Sequence, residues 1–113
     1  MSQLTTHILD TSIGKPAAGV KIILKKSEAD SSWSFMAEGV TNADGRVGDL
    51  LKTDKILAPG HYKLIFDTEG YFKNQKLKCF YPSVEIIFEI SDASHYHVPL
   101  LLNPFGYSTY RGS

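Results

Sequence analysis

His95-Tyr96-His97-Val98-Pro99-Leu100-Leu101-Leu102 decides how the rest of the chain is read. Successive side chains of a strand point to opposite faces, so His95, His97, Pro99 and Leu101 fall on one face and Tyr96, Val98, Leu100 and Leu102 on the other. The second set is core. The first places two imidazoles side by side next to a proline, which cannot donate a ladder hydrogen bond and suits an edge or a bulge. Something polar must meet that face, whether solvent, a subunit or a substrate.

Short β-branched and aromatic runs of the same kind recur along the chain, separated by glycine, proline, asparagine and aspartate. The expected strands are Thr5 to Leu9, Val20 to Lys26, Ser34 to Thr41, Gly60 to Phe66, Val84 to Ile90, His95 to Leu102 and Tyr107 to Arg111, with a possible short strand near Val47. About seven or eight strands suit an all-β sandwich. Ile13-Gly14-Lys15-Pro16 and Asn42-Ala43-Asp44-Gly45 read as turns between neighbouring strands. From Asp67 to Leu77 acidic residues lead and lysines follow, the charge order a helix dipole favours. One short helix is expected there, weakened by Gly70.

The 113 residues are expected to form a single domain, 1–113, burying roughly two-thirds of the unfolded surface. Lysine plus arginine equals aspartate plus glutamate at twelve each, which gives no basic footprint for nucleic acid. The lone Cys79 cannot form an internal disulfide and reads as a small packed residue in a chain that can fold under reducing conditions. Met1-Ser2-Gln3-Leu4-Thr5-Thr6-His7 has no basic segment or apolar run typical of an export signal, so a cytoplasmic location is expected. No run approaches the roughly 20 apolar residues of a membrane-spanning helix.

Nucleotide-binding glycine loops, nucleophile elbows and His-Glu-x-x-His pairs are absent from the sequence. His95-x-His97 could hold a metal, but only His7 and His61 are left to complete a ligand set, and solvated, packed or acid-base histidines are the favoured reading. Taken singly, His7 reads as a surface histidine on the first strand and Arg46 as the rim of a hairpin. Arg46 also has the planar fork to grip a carbonyl or enolate. Tyr107-Ser108-Thr109-Tyr110 has high strand propensity, which ties the following Arg111 into a sheet.

Together, His7-Ile8-Leu9-Asp10, Asn42-Ala43-Asp44-Gly45-Arg46, His95-Tyr96-His97-Val98-Pro99-Leu100-Leu101-Leu102 and Tyr107-Ser108-Thr109-Tyr110-Arg111-Gly112-Ser113 resemble the transthyretin-related hydroxyisourate hydrolases. The resemblance runs from His7 to Ser113. Its most specific element is Tyr110-Arg111-Gly112-Ser113, an ending that the hormone-carrier transthyretins of the same fold lack. Ile8, Lys15 and Asn103 stand where that family more often has valine, arginine and serine.

The resemblance implies a transthyretin-like β-sandwich of two four-stranded sheets with one short helix, assembled as a homotetramer, a dimer of dimers with active sites where dimers meet. It implies a cyclic amide hydrolase that opens 5-hydroxyisourate in urate catabolism without cofactor or metal. Carried over by motif, His7, Arg46 and His97 are catalytic, and Tyr110, Arg111, Gly112 and Ser113 bind substrate, with His95 the less favoured histidine. Of His7 and His97, the second is the favoured base. The Ser113 hydroxyl and the terminal carboxylate are expected to hold the histidines or the substrate. The alternative is a binding protein of the same fold that carries a small ligand of the thyroid hormone type.

Overall fold

A strand buried on one face only should alternate in exposure, and the first strand does: Leu4, Thr6, Ile8 and Asp10 are buried while Thr5, His7 and Leu9 are half-buried. The structure, a computed structural model, describes residues 2–48 and 50–113; Met1, which opens the segment considered for export, lies outside the described residues. Among the described residues the order is β1 Leu4–Asp10, β2 Lys15–Pro16, β3 Lys21–Ser27, β4 Trp33–Val40, β5 Gly60–Phe66, α1 Thr68–Lys73, β6 Val84–Ile90, β7 Tyr96–Asn103 and β8 Gly106–Thr109. They form two four-stranded sheets, β2-β1-β7-β8 and β4-β3-β5-β6, the sandwich that the strand pattern and the resemblance both point to. Neighbours are antiparallel except β1 and β7, which run parallel with Thr5 beside His97 and His7 beside Pro99.

Between the sheets lie Leu4 and Ile8 of β1, Ile22 and Leu24 of β3, Tyr62, Leu64 and Phe66 of β5, and Tyr96, Val98, Leu100 and Leu102 of β7, all buried. Each such aliphatic side chain contributes roughly 1.5–3 kcal/mol relative to leaving it in water. The core face assigned to β7 from its alternation is therefore the packed one. The loop from β4 to β5 adds Leu50, Leu51 and Leu57. Gln3, itself buried, fastens that loop by accepting from the Leu57 N–H at 2.8 Å and donating to the Asp92 carbonyl at 3.0 Å.

Four local expectations change. Lys15 and Pro16 are paired to Asp10 and Leu9 as β2 rather than left in a loop, with Gly14 turning the chain at φ +66°. Among the described residues near Val47 there is no strand; Arg46 forms an isolated bridge to His7. The helix stops at Lys73, because Lys76 adopts φ +58° and the Leu77 N–H returns to the Phe72 carbonyl. At its start Asp67 caps the Gly70 N–H, and a Cβ on Gly70 would collide with that carboxylate, so the residue that weakens the helix makes room for its cap. Tyr71 of α1 donates to Oδ2 of the fully buried Asp10 at 2.7 Å, which docks the helix onto the end of β1.

Pro99 is the fourth. It lies inside β7, between β1 and β8, rather than at an edge or a bulge, and neither pairing shifts register there. Its carbonyl accepts from Thr109 Oγ1 at 2.7 Å, so its donorless nitrogen also faces the β8 side, where Leu100 paired with Thr109 is the last ladder pair. Three residues further along each strand the pairing returns at His97 and Gly112, in unchanged register. Proline thus marks a gap in the β7–β8 ladder that the tail bridges.

Candidate active site

The pairing of β1 with β7 brings together groups that are far apart in sequence. Thr5, His7, His95 and His97 project from the outer face of the β2-β1-β7-β8 sheet, away from the sandwich core. Thr5 Oγ1 lies 2.8 Å from His97 Nδ1 and 2.9 Å from His95 Nε2. The two imidazoles stand 6.4 Å apart between ring centroids, with planes only 16° from parallel.

Arg46 reaches this face through a tight turn. The Asn42 side-chain oxygen accepts from the Asp44 and Arg46 N–H groups at 2.9 and 3.1 Å, and the Asn42 N–H donates to the Arg46 carbonyl at 2.8 Å. Gly45, at φ +73°, gives its carbonyl to the Ile8 N–H at 2.9 Å, and Arg46 forms an antiparallel bridge with His7. A Cβ at position 45 would strike the Ile8 carbonyl and press on the His7 ring, so this approach requires glycine.

The tail arrives from the other side. The Gly112 N–H donates to the His97 carbonyl at 2.8 Å, and a side chain there would run into the Cδ2 edge of the His97 ring. Tyr110 and Ser113 are exposed. Arg111 takes the opposite direction from the imidazoles: its guanidinium carbon sits 4.4 Å above the centroid of buried Tyr96, on the core side of β7. Tyr96 in turn donates from its hydroxyl to Asp92 Oδ1 at 2.9 Å and accepts from the Ser91 N–H at 3.0 Å. The tail is therefore held by its arginine on one side of the strand and laid against an imidazole on the other.

Burial first, then the Arg46 cation, then His95, with a smaller contribution from His7, hold the His97 imidazole below the usual histidine value of 6.5; hydrogen bonding to the Thr5 main chain opposes them. A half-buried imidazole that stays neutral at pH 7 is equipped to take a proton. A guanidinium held close by can stabilise negative charge developing on a substrate oxygen. Such an arrangement can activate water against a polarised carbonyl.

His7, Arg46, His97 and Gly112, all named as candidates from the sequence, are thus gathered on one face. His95 joins them through Thr5, whereas the Arg111 side chain does not. Thr5 was missed as a functional candidate. Its position two residues before His7, on the same face of β1, was a usable signal, but its partners lie on β7 and the pairing of the two strands was not readable.

Residues 4–112 match the family model described as the HIUase/Transthyretin family. The chain is 48% identical over 111 residues to a 5-hydroxyisourate hydrolase from Salmonella dublin, covering 97% of this chain and 80% of that protein. It superposes on a 5-hydroxyisourate hydrolase structure from Klebsiella pneumoniae with TM-score 0.85 and 38% identity, over 100% of this chain and 94% of that one. It also superposes on sea bream transthyretin in complex with thyroxine, with TM-score 0.91 and 34% identity, over 97% and 94% of the two chains.

Proposed function

Because the chain belongs to the HIUase/Transthyretin family, we propose that it hydrolyses 5-hydroxyisourate to 2-oxo-4-hydroxy-4-carboxy-5-ureidoimidazoline, using its own side chains to activate water. The observation that carries this reading is the tail laid against His97, Gly112 hydrogen-bonded to the histidine carbonyl and seated against its ring. The extent of identity to a protein named for that activity supports it.

In this reading His97 removes a proton from water, which adds to the lactam carbonyl of the substrate. The oxygen that becomes negative is met by Arg46, and His7 protonates the departing ring nitrogen. Tyr110, Gly112 and Ser113 form the wall beside the imidazole, and Arg111 fixes that wall from the far side of β7. The outer face that carries these groups is where a second pair of subunits would close the site in a homotetramer. Gel filtration at a monomer mass would sink that assembly. Retained turnover after exhaustive chelation is expected of side-chain chemistry without a metal. The unpaired Cys79 accords with a cytoplasmic protein.

The better superposition on a thyroxine-bound carrier than on a hydrolase favours a second reading, a small-ligand binding protein. Ultraviolet decay of freshly generated 5-hydroxyisourate separates the two. Acceleration by catalytic amounts of protein is expected. Tight thyroxine binding with no acceleration would transfer the chain to the carriers.

A further inference from the structure

The hydroxyl of Thr5 stands between two imidazole nitrogens, His97 Nδ1 at 2.8 Å and His95 Nε2 at 2.9 Å. A hydroxyl has one proton, so when both rings are neutral it donates to one nitrogen and accepts an N–H from the other. Two arrangements satisfy both contacts. In one, Thr5 donates to His95 Nε2 and accepts from His97 Nδ1–H, which leaves Nε2 of His97 as a bare lone pair. In the other, every donor is reversed, His97 carries its proton on Nε2, and that nitrogen cannot act as a base. The tautomers of the two histidines are therefore coupled through a single oxygen.

We propose that Thr5 is a positioning residue that holds His97 in the first arrangement, with His95 serving as the acceptor for the Thr5 proton. The inference rests on the reading of His97 as the base. The direction follows from that role: a base needs its Nε2 bare, which puts the ring proton on the Nδ1 that faces the Thr5 hydroxyl. The ring is clamped, with Thr5 at its Nδ1 edge and Gly112 against its Cδ2 edge. Among the described residues no side-chain hydrogen bond engages His97 Nε2. When that nitrogen takes a proton from water, the positive ring keeps its Nδ1–H on Thr5, whose own proton stays on His95. The inference gives His95 a task without placing it on the substrate. The charged and titratable groups acting on His97 are Arg46 from the turn bridged to β1, His7 on β1 and His95 immediately before β7; Arg111 in the tail lies across the strand.

Thr5→Val removes the hydroxyl while keeping the side-chain shape, and Thr5→Ser restores it. Nitrogen-15 NMR of the imidazoles in the wild-type protein at pH 8 should show His97 protonated on Nδ1 and bare on Nε2, and Thr5→Val should give a mixture of tautomers. Turnover of 5-hydroxyisourate by Thr5→Val should fall about ten- to a hundredfold with KM changed less than about threefold, and Thr5→Ser should recover to within about threefold of wild type. A His97 proton found on Nε2 in the wild type overturns the proposal. So does wild-type turnover and pH dependence in Thr5→Val, or a Thr5→Ser variant as impaired as Thr5→Val. If the wild-type protein does not turn over 5-hydroxyisourate, the hydrolase reading fails, and the NMR measurement still decides the tautomer coupling.

Discussion

The two faces of β7 are built from adjacent residues and obey opposite rules. Tyr96, Val98, Leu100 and Leu102 are buried in the sandwich, where any change of volume is felt and polar groups are tolerated only when paired. His95 and His97, one residue away on either side, are half-buried and held by a hydroxyl and a glycine backbone. Each face also receives a different part of the tail: Arg111 stacks on Tyr96, and Gly112 meets His97. One strand thus supplies stability from one side and chemistry from the other, and substitutions should separate the two.

The sharpest separation is His97→Asn, which should lower turnover by about two to four orders of magnitude while leaving the thermal midpoint nearly unchanged. Near-normal turnover would remove His97 from the chemistry. Leu100→Ala, on the packed face, should do the reverse, lowering unfolding free energy in urea by about 2–5 kcal/mol while the folded fraction keeps its turnover. Equal stability would mean that the face carries less of the core than its complete burial implies. Arg46→Ala should reduce kcat/KM by about a hundred- to a thousandfold through loss of a transition-state donor.

The smallest effect is a displacement of the pH profile. His97 acts as a base only when neutral, so activity falls as pH drops through its pKa, and with that pKa held below 6.5 the acid limb should have its midpoint below 6.5. Removing the Arg46 cation takes away one cause of the lowering and should move the limb in Arg46→Ala upward. A limb that stays in place would show that Arg46 does not act on His97. Stability has the same sign: the unfolded chain binds the proton more readily, so the contribution from His97 is full above 6.5 and is lost as pH falls from there toward the lowered native value.

The strands with long alternating patterns were legible because one face of each meets the core, and His97, His7 and Arg46 were legible through the motifs around them. β2 was not, since two residues cannot display a period of two. The helix was drawn too long because the lysines after Lys73 continue a helical charge order, while the backbone turns at Lys76 for reasons set by packing. Pro99 was read as suiting an edge or a bulge because a missing donor is safest there; the structure places it at a gap in an interior ladder. The orientation of Arg111 follows from a register that continues past that gap, and the role of Thr5 from a parallel pairing, and neither is written in local sequence.

That parallel pairing also bears on how the protein reaches its working form. Thr5 and His97 are separated by 92 positions along the chain, and every strand between them must be placed or bypassed before they meet. Closing so long a loop is entropically costly and is repaid only when the distant partners dock, so contacts of this kind belong to slow steps of folding. A site assembled across so long a contact cannot precede it. Regain of turnover during refolding should therefore coincide with, or follow, the slowest structural phase, which makes catalysis a readout of completed topology.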